Sequence, residues 1–327
     1  MTRAVIHGVG HAVPDKVLSN ADLEKMVDTN DEWIKQRTGI AERRVCGPDD
    51  SCTSLAVTAA QRALAAAGTS AEEVEMIVVG TVTGDFPFPS CSCLVQDHLG
   101  ATNAGAFDVG AACAGFIYSV ASVAPMLETG KIRTALVIGV DVLSKYVDYS
   151  DRSTCVLFGD GAGAVVLKAE EATDRGVIDT VLLSDGSGAK HIKMEYGGTA
   201  NPPHQGLPEG MNPFLFMAGA EVYRFAVGAM GDACERVLER TGLRASDIDL
   251  FVPHQANLRI IESAAKRLDL ADDKVFINVQ NYGNTSGGSI PIALSEASAQ
   301  GRLKKGDLVM TVGFGAGLVW GANLIRW

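Results

Sequence analysis

Apolar residues in this chain fall into short continuous runs and into longer stretches at helical spacing. The runs "RAVIHGVGHAVP" near the start, "EMIVVGT" (75–81), "AGAFDV" (104–109) and "DLFVPHQ" (249–255) predict strands. "CTSLAVTAAQRALAA" (52–66), "IYSVASVAPMLETGK" (117–131) and "EVYRFAVGAMGDACERVLER" (221–240) carry their apolar residues at helical spacing and predict helices. The pattern also repeats. "AGTSAEEVEMIVVGT" (67–81) and "TGLRASDIDLFVPHQ" (241–255) share one form: a helix ending in Gly, a short acidic helix, then an apolar strand. Aligning Gly68 on Gly242 gives a spacing of 174 residues. The halves also end alike, in "FGDGAGAVVLKA" (158–169) and "FGAGLVWGANLI" (314–325). Both are Gly turns leading into a strand rather than a helix, which argues against a dinucleotide-binding loop.

Two fused copies of one β/α unit predict an α/β protein with helices layered against two sheets about a pseudo-two-fold axis. The halves divide at residues 1–170 and 171–327. In such units ligands gather beyond the carboxyl ends of strands. Three polar groups fall at such ends. Cys113, in "VGAACAGF", follows the strand expected to be buried at "AFDV" and precedes a helix. His254 stands between the strand "DLFVP" and a helix. Asn284, in "KVFINVQNYGNTSGGS", follows a further expected strand and precedes a helix that begins in Ser and Gly.

Each residue has a plainer reading alone. A free cysteine is often a small buried hydrophobe, a lone histidine is often a core or capping residue, and Asn beside Gly is ordinary turn chemistry. The sharper reading of Cys113 is a nucleophile: small neighbours leave room for a reacting group, and a helix N-terminus favours the thiolate. The constellation is harder to produce by chance than any member of it. His7, His11, His98, His191 and His204 have no comparable setting.

Composition narrows the function class. The 327 residues are 47% hydrophobic and 20% charged, as in an ordinary globular protein. A net charge of −11 argues against broad nucleic-acid binding and means that an acidic partner needs a local basic patch. The start reads as a strand rather than a signal peptide, and no apolar run approaches membrane-span length. Seven scattered cysteines point to a reducing cytoplasm. Cys91 and Cys93 form a lone C-x-C, which argues against zinc; Cys155 and Cys234 read as core.

The motifs "AACAGF", "PHQANLRI", "YGNTSGGS" and "FGAGLVWG", in that order, resemble β-ketoacyl-acyl carrier protein synthase III of the thiolase-like condensing enzymes. The resemblance runs from "DEWIKQRTGI" to the last residues. Asn284 at the third site position points to the initiating, acyl-CoA-primed branch. The resemblance implies a duplicated thiolase-like fold in αβαβα layers and an initiating role in fatty acid synthesis. It implies that Cys113 is acylated by a short acyl-CoA, with the backbone N–H groups of Cys113 and Ala316 holding the oxyanion. Where the family often has glycine, this chain has Ala316. His254 and Asn284 would stabilise the enolate formed by decarboxylation of malonyl-acyl carrier protein. No cofactor or metal is implied, acyl-CoA being a substrate.

By the same resemblance Thr29, Trp33, Arg37 and Arg152 would contact CoA, Trp33 and Arg152 holding its adenine. Arg43 and Arg44, close to Arg37, read as merely solvated. Phe88 would reach across a homodimer interface to the floor of the acyl pocket and favour short primers. Arg259, Lys266 and Arg267, at i, i+7 and i+8 of one helix, would form with Arg224 a basic patch for the carrier protein, unless they are an ordinary solvated face. Alternatives are a related enzyme of a specialised polyketide or quinolone pathway, a cysteine thioesterase or other hydrolase, and a non-catalytic binding module.

Overall fold

The computed structural model describes residues 2–327. In the first half, β1 (Arg3–Ala12), β2 (Met76–Gly80), β3 (Gly105–Val109), β4 (Thr134–Val142) and β5 (Asp160–Glu170) form a sheet in the order β1-β5-β4-β2-β3. In the second half, β6 (Gly176–Ser184), β7 (Leu250–Pro253), β8 (Leu308–Gly315) and β9 (Val319–Arg326) form a sheet in the order β7-β8-β9-β6. A shift of 174 residues carries β1 onto β6, β2 onto β7 and β4 onto β8. β5 and β9 hold the same place between their neighbours, so the second sheet repeats the order of four strands of the first, β3 having no counterpart.

Helices fill the outer and central layers. α1 (Asp31–Thr38) lies beyond the sheets, and α2 (Cys52–Ala67) and α3 (Cys91–Leu99) cover the outer face of the first sheet. α4 (Gly115–Glu128) packs between the sheets. α5 (Gly219–Thr241) and α6 (Leu258–Arg267) cover the second sheet, and α7 (Ser289–Ala299) joins α4 in the middle. These are the expected αβαβα layers. Ser51 starts α2 with a capping box, and Gly68 and Gly242 end α2 and α5 in left-handed caps, as the repeat demanded. The central layer buries Phe116, Ile117 and Val120 of α4 and Ile290 and Leu294 of α7 against Val137, Val165, Val252 and Val309. Each such side chain contributes about 1.5–3 kcal/mol when fully buried. β4, "TALVIGVDV", is buried along its whole length, which is why it reads as a continuous run.

Two expectations fail. β3 is not a buried strand: it is the free edge of its sheet, and Phe107 is 37% exposed. The strand expected before Asn284 reduces to a single bridge, Phe251 to Val275, followed by a short helix, Val279–Tyr282. The Gln255 side chain explains this. Its Oε1 accepts from the N–H groups of Asn278 and Val279 at 2.9 and 3.2 Å, so those donors are not available to a strand neighbour. Among the described residues, no helix is long and apolar enough to cross a membrane.

Candidate active site

Cys113 occupies a tight turn, Ala112–Ala114, between β3 and α4. The turn is pressed against β8: a Cβ on Gly315 would lie 2.6 Å from the Cys113 nitrogen. Only glycine allows that approach, and it brings the chain at Ala316 beside the Cys113 backbone. Ala316 has no left-handed φ. The unusual conformation falls on the next residue, Gly317, at φ 149°, so alanine is accommodated where the resemblance suggested glycine.

The thiol differs from expectation. Cys113 is 8% exposed, and burial pushes its pKa up to about 12, with the Asp141 carboxylate adding to the rise and the Ser286 side chain opposing it. Desolvation disfavours the thiolate in the unliganded chain.

His254 follows β7, with its N–H donating to Val312 O at 2.7 Å. The ring is fully buried and stands edge-on to Phe314, with centroids 5.6 Å apart. Its Nδ1 meets Ser289 Oγ at 2.5 Å, and the same Oγ accepts the Gln255 N–H at 3.3 Å. Ser289 thus fixes the ring through Nδ1, and Nε2 is buried without a partner of its own. Burial lowers the pKa of His254 to about 3, so the ring is neutral.

Asn284 is held by the first half of the chain. Its N–H donates to Leu157 O at 2.8 Å, and its O accepts the Gly159 N–H at 3.0 Å. Its Oδ1 accepts from Ser286 N at 2.8 Å, which fixes the amide and leaves Nδ2 as the outward donor. Asp141, fully buried beside Cys113, was not anticipated. Its carboxylate accepts from Thr81 Oγ1 (3.1 Å), Val82 N (2.9 Å), Thr83 Oγ1 (2.8 Å) and Gly287 N (3.0 Å), tying the loop after β2 to the Asn284 turn. A lone acid inside the apolar run "LVIGVDV" was the available signal.

Cys113, His254, Asn284 and Phe314 line one cavity of about 750 Å³ that runs outward past Val222 and Tyr223 to Trp33, Arg37 and Arg152. The guanidinium carbons of Arg37 and Arg152 stand 5.1 and 5.3 Å from the Trp33 ring centre. A base between Trp33 and Arg152 needs about 7 Å, two van der Waals contacts, so Arg152 must swing aside to admit one. Thr29 does not line the cavity; its Oγ1 is buried without a partner.

The basic residues divide rather than form one stripe. Arg224 and Arg259 line the cavity, Arg259 over the Tyr223 ring at 5.6 Å. Lys266 borders a separate groove with Glu262 and Asp269. Arg267 donates to Glu235 Oε1 at 2.8 Å and to Gly228 O at 2.9 Å, so its charge is matched on α5. Phe88 is 85% exposed beside the exposed Phe86 and Val82, and within one chain it closes nothing. Arg43 contradicts its reading as solvated: it is fully buried. Cys155 and Cys234 are core, as expected. Among the described residues, no three His, Cys, Asp or Glu side chains are grouped to hold a metal.

Comparison with known proteins agrees with this geometry. Residues 107–186 match the family described as 3-oxoacyl-[acyl-carrier-protein (ACP)] synthase III, and residues 238–327 match its C-terminal part. The chain is 51% identical over 324 residues to the beta-ketoacyl-[acyl-carrier-protein] synthase III of Caldanaerobacter subterraneus subsp. tengcongensis, covering 99% of this chain and 98% of that protein. It is similar to the crystal structure of 3-oxoacyl-[acyl-carrier-protein] synthase III from Aquifex aeolicus VF5, with TM-score 0.92, 43% identity, and coverage of 99% and 100%. The priming beta-ketosynthase of the R1128 polyketide biosynthetic pathway is also similar, with TM-score 0.93, 36% identity, and coverage of 99% and 96%.

Proposed function

This chain belongs to the 3-oxoacyl-[acyl-carrier-protein] synthase III family of condensing enzymes, and on that premise we propose how its cavity performs the reaction. It is an acyltransferase of thiolase-like fold that initiates fatty acid synthesis. The observation that carries the reading is that Cys113, His254 and Asn284, from three separate turns of two repeated units, line one cavity with a basic, aromatic mouth.

In the first half-reaction the acyl-CoA enters with its nucleotide end at Trp33 and Arg152, where stacking and cation–π attraction hold the base. Cys113 sulfur attacks the thioester carbonyl. The oxyanion is held by the N–H groups of Cys113 and Ala316, the C–S bond to CoA breaks, and the thiol proton leaves with CoA. The acyl-cysteine is neutral, which suits a site where burial disfavours a thiolate.

In the second half-reaction malonyl-carrier protein takes the place of CoA. Its C–C bond to the carboxylate breaks, CO2 leaves, and the electron pair becomes an enolate whose oxygen accepts from His254 Nε2–H and Asn284 Nδ2–H. A neutral imidazole and an amide are suited to this: both donate, and the ring's first protonation falls far below neutral pH. The enolate carbon attacks the acyl-cysteine carbonyl, the C–S bond to Cys113 breaks, the released sulfur takes a proton from solvent to become the thiol again, and the 3-oxoacyl thioester departs on the carrier protein. We assign no resident cofactor, a short primer, a homodimer completed at Phe88, and a cytoplasmic setting. Intact mass spectrometry after incubation with a panel of acyl-CoAs, followed by release of labelled CO2 from malonyl-carrier protein, tests both halves. Free acid without an adduct or CO2 points instead to a hydrolase.

A further inference from the structure

Among the described residues, Arg43 is the largest fully buried side chain. Its backbone pairs with Leu18 in an antiparallel ladder of two short strands, Val17–Ser19 and Glu42–Arg44. The side chain passes beneath Gly159 and Gly283, where Cβ atoms would lie 3.0 and 3.2 Å from its own Cβ. Among the described residues no carboxylate lies within ion-pair distance of its guanidinium. Burial lowers its pKa to about 10, so it stays charged at neutral pH. A buried charge without a counter-ion is costly, and packing alone is better served by an apolar side chain.

The hydrogen bonds of this guanidinium show what it joins. Nη2 donates to Val156 O at 2.8 Å, and Val156 caps the short helix Arg152–Cys155. Nη1 donates to Leu18 O at 3.0 Å and to Asn20 Oδ1 at 2.9 Å. Asn20 Nδ2 in turn donates to Asp31 Oδ1 at 2.9 Å and to Ile40 O at 2.9 Å. Asp31 is the first residue of α1, which carries Trp33 and Arg37. One hydrogen-bonded path therefore runs from the helix of Arg152, through Arg43 and Asn20, to the helix of Trp33.

We propose that Arg43 is a positioning residue that sets the spacing between Trp33 and Arg152 and thereby the enzyme's use of the nucleotide end of its acyl donor. The proposal rests on the reading of Trp33 and Arg152 as the nucleotide site. Its physical basis is the planar guanidinium, which meets three acceptors on two segments of the chain at fixed angles; a lysine ammonium supplies charge but not that fork. Loss of the fork leaves Arg152 in place on its own helix, but at a variable distance from Trp33.

The test compares kcat/KM for an acyl-CoA with that for the same acyl group on pantetheine, which lacks the nucleotide. In Arg43→Lys and Arg43→Met the ratio of the two falls roughly tenfold, mainly through KM for acyl-CoA. A merely structural role lowers both substrates equally and leaves the ratio unchanged, which overturns the proposal. Asn20→Asp keeps an acceptor for Arg43 but removes the donor to Asp31, and it lowers the same ratio even if the Arg43 variants do not fold. Trp33→Ala separates the two readings. If it lowers the ratio while the Arg43 and Asn20 variants leave it intact, the positioning role fails alone. If Trp33→Ala itself leaves the ratio intact, the nucleotide site lies elsewhere and both readings fall.

Discussion

Ala112 and Ser286, 174 residues apart, both hold a left-handed backbone, with φ of 44° and 50°. Each is the first residue of a three-residue turn that leads into a central helix, α4 or α7. A left-handed residue with a side chain costs roughly 1–2 kcal/mol, so this conformation is held by its surroundings. The relationship makes Gly287 the counterpart of Cys113. The second half retains the elbow without the nucleophile and uses it to bind Asp141 through the Gly287 N–H.

Gly287 therefore has no room for a side chain. A Cβ there would stand 2.9 Å from Gly80 O and 3.3 Å from an Asp141 oxygen. Gly287→Ala is expected to destabilise the protein by about 1–3 kcal/mol, as overpacked core positions do. Urea and thermal unfolding measure it; an unchanged midpoint would show that the elbow relaxes without cost.

Cys113→Ala should abolish the acyl-enzyme, seen as loss of the acyl mass adduct. In the unliganded wild type, alkylation of Cys113 by iodoacetamide should rise about tenfold per pH unit from pH 7 to 9, because burial keeps the group a thiol with pKa about 12. A plateau near neutral pH would mean that a preformed thiolate exists after all.

His254→Ala and Asn284→Ala should slow decarboxylation about 10²–10³-fold, the usual effect of one oxyanion donor, and slow acylation less. Equal losses in both steps would sink the assignment. His254 also makes the wild type sensitive to acid. Its folded pKa, about 3, lies below the unfolded value near 6.5, so protons favour the unfolded chain. The stability it contributes is complete above pH 6.5 and is lost as pH falls toward 3. The decarboxylation rate should show no imidazole titration between pH 5.5 and 8.

The duplicated architecture was legible because each repeated element keeps its own local signals: Ser51 and Gly68 delimit a helix, and the short apolar run "MIVVG" reads as a strand. Cys113 and His254 were legible for the same reason, standing where strand becomes helix. What could not be read depends on distant residues. Arg43 sits in a three-residue strand between two half-exposed neighbours, too short for periodicity, and its burial is imposed by Gly159 and Gly283. The missing strand before Asn284 depends on one side chain, Gln255, more than twenty residues earlier in the sequence. The split of the basic stripe depends on Glu235, which lies on another helix.

That split separates the charge variants. Arg259→Glu at the cavity mouth should weaken use of malonyl-carrier protein, and the defect should shrink as salt rises, since the Debye length is about 8 Å at physiological ionic strength. Arg267→Glu, facing Glu235, should lower the melting temperature and leave the carrier-protein KM nearly unchanged. The reverse pattern in steady-state kinetics and melting would return the docking patch to the end of α6.

Phe88 decides primer length if a second chain receives it. Its ring is 85% exposed, beside Phe86 at 58% and Val82 at 51%, an apolar group that water tolerates poorly. Set into the acyl pocket of a partner, the ring must be displaced by any long primer, and such overpacking costs roughly 1–3 kcal/mol. That corresponds to about a tenfold to hundredfold preference for acetyl-CoA over octanoyl-CoA in kcat/KM. Phe88→Ala should open the pocket and move the optimum to longer chains, with malonyl-carrier protein KM little changed. Mass measurement in dilute solution supplies the control, because a variant that is only monomeric loses activity with every primer, whereas an opened pocket gains it with long ones. A wild type that prefers octanoyl-CoA would contradict the short-primer reading and favour a specialised pathway, whose R1128 representative shares the fold.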